Sequence, residues 1–267
     1  MTRWDPDQYL RYDDHRTRPH HDLLHRIPAD TRPHRILDLG CGPGNSTAPL
    51  RTRWPDARIT GVDTSPEMLA AARTRHAGPN PGGTGTTDYV RADAATWDPA
   101  PHHPDLIVTN ALLQWIPDHL PLLDRWTRAL TPGGTLALQL PGNFDAPSHT
   151  LLAGLRTSPR WKDRLADGAR RDAAAHDPAA YLDRLTAAHC TADVWETTYH
   201  QLLPGPDPVL EWVKGTALRP VLTRLDPPDR AAFLDEYAAL LRQAYPPGPH
   251  GTAFPFRRIF AVARRNP

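Results

Sequence analysis

The sequence predicts an α/β chain built on a doubly wound, seven-stranded, mostly parallel sheet with helical insertions. Three observations predict it. Five short apolar runs alternate with helical patterns within the first 140 or so residues, the order that a parallel sheet demands. The first run stops at Gly40-Cys41-Gly42-Pro43-Gly44 and the second ends in Asp63, so polar turn chemistry gathers at the carboxyl edge, where such sheets bind ligands. Beyond Pro141 the alternation breaks, yet two more strand-like stretches remain, and these need a sheet to join.

Taken in order, RILDLG (35–40) is an apolar run closed by glycine, as in a buried parallel strand. A short helix is expected from Asn45 to Trp54, then a second strand over ARITGVD (57–63). Ser65-Pro66-Glu67 opens the next helix, with serine as N-cap, proline in the first turn and an acid beside the positive end of the helix dipole. AGPNPGGTGTTD (77–88) reads as a surface loop, YVRAD (89–93) and DLIVTN (105–110) as strands. DHLPLLDRWTRAL (118–130) is an amphipathic helix, ended by Pro132-Gly133-Gly134 before the strand TLALQL (135–140). Residues 145–176 are charged, Ala-rich and helical in tendency, 179–190 a helix and 193–203 a strand. Helical patterning over 207–246 is interrupted by Pro220, Pro227 and Pro228, and FRRIFAVARR (256–265) closes the chain as a strand. One domain is expected, with residues 1–30 as an N-terminal helical segment and 145–176 and 207–246 as helical lids over the ligand edge.

Composition sets the limits. The 267 residues carry 31 basic against 30 acidic side chains, a net charge of +1. That balance argues against a nucleic-acid partner, since phosphate affinity needs a clustered basic surplus. No apolar run approaches the ~20 residues of a membrane helix, and the polar N-terminus lacks a signal-like apolar core. With only Cys41 and Cys190, no disulfide framework is expected, which fits a cytoplasmic setting. Histidine is plentiful, 14 in all, but without Cys partners at zinc-site spacing no metal is expected. Only Lys162 and Lys214 are lysines, so almost every cation is an arginine. Genome composition explains most of that bias.

The glycine loop carries the first chemistry. Glycine lets the backbone turn tightly and approach a ligand without a Cβ in the way. A dinucleotide loop would place a third glycine where Asn45 stands, and Pro43 removes an N–H that a phosphate would use. The loop therefore suits a nucleoside without a pyrophosphate. Asp63, 19 residues beyond Gly44, is placed to accept from both ribose hydroxyls. Asp93, at the next strand end, suits an adenine amino group, and a turn-capping role for either acid is the plainer alternative.

These residues carry a resemblance. ILDLGCGPGNST, GVDTSP, Asp93 and TNALLQW together resemble the Rossmann-like class I S-adenosylmethionine-dependent methyltransferases. WDPDQYLRYDDHRTRP, LQLPGNFDAPSH, DVWETTYHQL, EWVKGTALRPVL and FRRIFAVARR narrow the likeness to the trans-aconitate 2-methyltransferase family, essentially from end to end. Two departures stand out: Glu196, where that family leads one to expect a base, and an extra residue within Phe254–Arg258. The resemblance implies S-adenosylmethionine as cofactor, held by Asp38, Gly40, Cys41, Gly42, Asn45, Asp63, Thr64, Met68, Asp93, Ala94, Asn110 and Gln114. Asn110 offers its carbonyl to the methionyl ammonium.

It also implies a small tricarboxylate as substrate, methylated on a carboxylate. A carboxylate is already ionised at pH 7 and needs no general base. Arginines suit the grip on a trianion, because the guanidinium fork meets a carboxylate in two parallel bonds. The candidates are Arg16, Arg18, Arg219 and one of Arg257 and Arg258, which face opposite ways on a strand; Arg257 is preferred. Trp115, His149 and Tyr199 complete the expected substrate pocket, whereas Trp212 reads as packing. Other classes stay in view. A small-molecule O- or N-methyltransferase would want a base such as His149 or His15. The missing third glycine speaks against a nucleotide-dependent oxidoreductase. A non-catalytic binding protein of the same fold is the third.

Overall fold

The computed structural model describes residues 13–165, 175–215 and 217–267, with the side chains of residues 13–16 and 219 outside that description. They fall into two compact units. One comprises Arg16–Pro141, Ala173–Thr197 and Arg258–Pro267; the other draws its described residues from Gly142–Asp172 and Thr198–Arg257.

The first unit is the wound sheet. Helix α1 (Asp13–Arg26) precedes β1 (Arg35–Leu39), followed by α2 (Thr47–Arg53), β2 (Arg58–Asp63) and α3 (Pro66–His76). The two-residue β3 (Gly78–Pro79), β4 (Thr86–Arg91), β5 (Leu106–Asn110), α4 (Leu120–Ala129) and β6 (Thr135–Pro141) complete the alternating run. Helix α3 starts as its sequence prescribes: the Ser65 hydroxyl accepts the Met68 N–H at 3.2 Å, and Pro66 stands in the first turn. After α7 (Pro178–Ala187) come β7 (Cys190–Leu203) and, at the end of the chain, β9 (Gly251–Arg265), the strands shared by the two units.

The strand order is β3-β4-β2-β1-β5-β6-β9-β7. Pairing is parallel from β4 through β2, β1 and β5 to β6, and β9 joins antiparallel to β6. Seven long strands thus make the expected sheet; the additions are β3 and β8 (Pro247–Gly248), two residues each. The order reverses between β1 and β5, which sets a crevice at their carboxyl ends. Leu37, Leu39, Ile107, Leu136, Leu138, Ile259, Trp126 and Tyr181 share one apolar core on one face. Gly61 in β2 is needed for close packing, because a Cβ there would stand 2.5 Å from the Tyr89 ring and 3.0 Å from Cys41 Sγ.

The second unit has its own core, of Leu152, Trp161, Leu203, Trp212, Phe233, Tyr237, Phe254 and their neighbours. Its helices are α5 (Pro147–Arg156), α6 (Lys162–Leu165), α8 (Pro208–Lys214), α9 (Arg219–Leu222) and α10 (Pro227–Ala244). The prolines expected to interrupt helices begin them instead. Pro227 and Pro228 fill the first turn of α10, where the missing N–H costs nothing, and Asp226 caps the Asp229 N–H at 3.0 Å. Tyr237 donates to the Ser148 carbonyl, and the Ser148 N–H donates to Tyr245 at 3.1 Å. Trp212 packs on Phe254 and Phe256, with ring centres 5.7 and 5.6 Å away. No helix among the described residues is long and apolar enough to cross a membrane.

Candidate functional site

The glycine loop continues β1 directly. Gly40 and Cys41 donate their N–H groups to the Val62 carbonyl at 2.8 and 3.1 Å, so the loop leaves the sheet against the end of β2. Gly40, Gly42 and Gly44 have φ of +75°, +54° and +92°, the left-handed region that glycine enters without strain. A Cβ at Gly40 would lie 2.9 Å from Leu112 Cβ, whereas Gly42 faces open space.

Two carboxylates fix this loop. Asp63 Oδ2 accepts the Gly42 N–H and Oδ1 accepts the Ser65 N–H, both at 2.9 Å. The acid at the end of β2 therefore ties the glycine loop to the turn carrying Thr64 and leading to Met68, and each oxygen keeps a lone pair for a further donor. Asp38, wholly buried, accepts from Ser46 Oγ at 2.8 Å and Thr47 Oγ1 at 2.6 Å through Oδ2. Burial pushes its carboxyl up to about 6, against the pull of those two hydroxyls. Burial likewise raises the Cys41 thiol far above its usual range, so it packs as a small apolar group.

Asp93, just past β4, accepts the Ala95 N–H at 2.9 Å. Ala94 is buried, and Arg125 of α4 holds the carbonyls of Ala94 and Ala95, each at 2.8 Å. At the end of β5, Ala111 takes φ +56° and donates to the Gln139 carbonyl at 2.8 Å. Gln114 donates to the Ala111 carbonyl at 2.5 Å from the short turn Leu113–Trp115. All twelve expected cofactor residues thus lie in the first unit; eleven sit on or next to strand ends and loops at the carboxyl edge of β1, β2, β4 and β5, and Met68 is in α3.

Three of the expected cofactor residues each carry a buried oxygen with no hydrogen-bond donor among the described residues: Asp38 Oδ1, Asn110 Oδ1 and Gln114 Oε1. A buried acceptor without a donor is costly. Acceptors in this number, beside Asp63 and Asp93, fit a ligand rich in donors, such as a ribose diol and an ammonium group. The residues present therefore fit S-adenosylmethionine.

The expected substrate residues are dispersed in the chain. In the first unit, Arg18 is exposed and stands 3.9 Å from Asp22, while the Trp115 N–H donates to the Leu112 carbonyl at 2.8 Å. Arg16 is in α1 and Arg219 opens α9, but their side chains lie outside the described residues. In the second unit, His149 stacks edge-on to Phe144 at 5.2 Å, and burial lowers its basicity. Tyr199 is buried in β7, and Arg257 donates to the Gly142 carbonyl at 3.0 Å. Arg258, on the other side of the strand from Arg257, is the buried one at 6% exposure.

Sequence reasoning missed two features. His20 of α1 is buried, and its Nε2 pairs with the Ser46 carbonyl of the glycine loop at 2.9 Å; the alternation of buried His20 with exposed His21 is not readable without knowing what covers α1. Gln139 of β6 is buried with neither amide end partnered among the described residues; the signal was a glutamine in the otherwise apolar TLALQL. His21 and His25, four apart on α1, are both exposed, and the described residues hold no group of three or more metal-ligating side chains.

Residues 36–134 match the family described as a methyltransferase domain. The YcgJ protein of Bacillus subtilis has a similar structure, with a TM-score of 0.58 at 16% identity over 93% of this chain and 99% of that one. The phosphoethanolamine N-methyltransferase 2 of Haemonchus contortus, solved with S-adenosylhomocysteine, gives 0.51 at 18% over 93% of this chain and 52% of that one. At such identities the likeness defines the fold. Fold, glycine loop and strand-end acids together define a class I S-adenosylmethionine-dependent methyltransferase. The chain is 62% identical to a trans-aconitate 2-methyltransferase of Streptomyces avermitilis, over 98% of this chain and 97% of that protein. It is 49% identical to one of Rhodococcus jostii, over 98% and 99%. The chain belongs to the trans-aconitate 2-methyltransferase family.

Proposed function

We propose that the protein transfers a methyl group from S-adenosylmethionine to a carboxylate of trans-aconitate or a close tricarboxylic acid, giving a monomethyl ester. The observation that carries this reading is the end-to-end match to relatives of that name. When bound, the cofactor supplies a methyl carbon on a sulfonium whose sulfur leaves neutral. Methyl transfer to an ionised carboxylate would require no proton movement, since the sulfonium and carboxylate charges would cancel.

The chain's own task is placement. Asp63 takes the ribose hydroxyls while holding Gly42 and Ser65, Asp93 takes the adenine amine, and Asn110 and Asp38 turn acceptor oxygens to the ammonium. Holding oxygen, carbon and sulfur in line can supply ~7–11 kcal/mol of the barrier. Exclusion of water matters too, because a hydrated carboxylate is a poor nucleophile. Arg16, Arg18, Arg219 and Arg257 or Arg258, with Trp115, His149 and Tyr199, are the acceptor-binding candidates. The absence of a base from this scheme follows from the acceptor, which is ionised at pH 7. The reading also places the enzyme in the cytoplasm, with neither nucleic acid nor membrane as partner.

The test is direct: incubate the protein with S-adenosylmethionine and trans-aconitate and look for the methyl ester and S-adenosylhomocysteine in equal amounts. Turnover of an amine or phenol, with none of trans-aconitate, would replace this reading by that of a small-molecule N- or O-methyltransferase.

A further inference from the structure

Gln139 lies in β6 in register with Asn110 of β5 on one side and Phe260 of β9 on the other. Its strand neighbours Leu138 and Leu140 enter the apolar core with Leu37, Leu39 and Ile107. Side chains alternate along a strand, so Gln139 stands on the opposite face, in a row with Asn110 and Phe260. Two residues back along β9, opposite Pro141, the same face carries Arg258.

The side chain is 1% exposed, and neither Oε1 nor Nε2 has a hydrogen-bond partner among the described residues. A buried amide with both ends unmade is an expensive occupant of a strand that otherwise runs Leu136, Ala137, Leu138 and Leu140 around it. A leucine would sit there at lower cost. Beside it, Phe260 is stacked on Trp195 with ring centres 4.9 Å apart and planes 6° from parallel, so an apolar wall borders the amide on the β9 side. Adjacent strands are about 4.8 Å apart, which puts Gln139 one strand spacing from Asn110.

We infer that Gln139 is an acceptor-orienting residue, whose Nε2–H donates to one oxygen of the acceptor carboxylate and leaves the other free to attack. The inference rests on the function proposed above. Its chemistry differs from that of the arginines. A guanidinium fork engages both oxygens of a carboxylate and stabilises its charge, which suits the carboxylates that are held but not methylated. A single neutral amide N–H fixes the group's rotation while leaving most of its charge, and one oxygen, available for reaction. The row then runs from Asn110, at the cofactor's amino-acid end, through Gln139 to the cation of Arg258.

The experiment compares Gln139→Leu and Gln139→Glu with the wild type. It measures kcat and KM with trans-aconitate, the Kd of S-adenosylhomocysteine by calorimetry, and Tm. Gln139→Leu is expected to lose about 10- to 100-fold in kcat/KM, the range for a hydrogen bond to a charged group. Its S-adenosylhomocysteine Kd should stay within about twofold, with Tm equal or higher. Gln139→Glu, of the same shape, is expected to lose more, since its carboxyl meets the acceptor either as a like charge or with one donor fewer. A kcat/KM within about twofold of wild type in Gln139→Leu, or a lowered Tm with kinetics unchanged, overturns the inference. Should Gln139→Leu fail to fold, unchanged kinetics in Gln139→Glu overturn it alone. If the wild type leaves trans-aconitate untouched but methylates another carboxylic acid, the substrate reading fails. The same comparison with that acid then tests Gln139, and a wild type that methylates no carboxylate at all overturns both.

Discussion

His119 Nε2 lies 2.7 Å from the Tyr181 hydroxyl, and His119 Nδ1 lies 3.2 Å from the Ile116 carbonyl. Burial keeps the imidazole less basic than usual and the phenol less acidic, so both are neutral at pH 7. The Tyr181 hydroxyl then donates to Nε2 and the Nδ1–H donates to Ile116, while the His176 N–H donates to the Tyr181 oxygen at 3.3 Å. This chain of bonds runs from α7 to the segment between β5 and α4 that carries Gln114 and Trp115. Tyr181→Phe removes the donor and strands a buried ring nitrogen, for which about 1–3 kcal/mol of stability is the expected loss. The measurement is urea denaturation, with equal midpoints as the disproof. S-Adenosylhomocysteine should also bind more weakly, because the Gln114 turn loses its brace.

A second prediction concerns pH. His20 and Asp38 both bond to Ser46, one through its carbonyl and the other through its hydroxyl. Burial lowers the His20 imidazole to about 4 and raises the Asp38 carboxyl to about 6. As pH falls from 6.5 towards 4, the unfolded chain takes up a proton at His20 that the folded one refuses, so stability is lost. Over nearly the same window, from 6 down to 3.8, the folded state takes up a proton at Asp38 before the unfolded chain does, so stability is gained. The two slopes oppose, and each amounts to ~3 kcal/mol. His20→Gln keeps a donor for the Ser46 carbonyl and removes one slope. In the cofactor-free protein, the stability of His20→Gln relative to wild type should therefore rise steadily from pH 6.5 to 4. Parallel stability–pH curves for the two proteins would refute the opposed-pair account.

Asp63 gives the third. Its two oxygens already accept from Gly42 and Ser65, and the proposed ribose bonds use the remaining lone pairs. Asp63→Asn loses the charge and turns one acceptor into a donor. A loss of about 10- to 100-fold in S-adenosylhomocysteine affinity is expected, from charge-assisted bonds of ~1.5–3 kcal/mol. Calorimetry decides it, and an unchanged Kd would remove Asp63 from the ribose site.

The parts of the fold that were legible in the sequence are those whose reasons are local. The parallel strands at 35–39, 58–63, 106–110 and 135–141 are apolar runs bounded by turn residues, and Ser65-Pro66 announces α3 by its own capping chemistry. Longer-range reasons were not legible. The loop expected over 77–88 contains β3 and the start of β4 because Asn80 binds the Ala57 carbonyl at 2.8 Å and Thr87 binds Asn80 at 2.7 Å, bonds no local pattern announces. The final strand extends back to Gly251, past Pro255, where alternating buried Phe254 and Phe256 enter the second core. The glycine loop and its acids could be read from spacing, since a strand–turn–helix fixes where they go. Gln139 could not, because its meaning lies in what it fails to bond.

The last prediction separates Arg257 from Arg258. Adjacent strand residues point to opposite faces, so the two arginines serve different surroundings. Arg257 is half-buried and donates to the backbone of Gly142, a bond that holds the turn after β6. Arg258 is 6% exposed, on the sheet face of Asn110 and Gln139, in register with Pro141. The sequence reading preferred Arg257 for the acceptor; burial favours Arg258. On this view Arg258→Ala raises KM for trans-aconitate by at least about 30-fold, since losing one partner of a buried charge pair costs ~2–5 kcal/mol. S-Adenosylhomocysteine should bind it nearly as before. Arg257→Ala should change KM only by the few-fold expected from a loosened turn. Steady-state kinetics on both variants decide between the two, and a larger KM effect at Arg257 would return the acceptor site to the opposite face of β9.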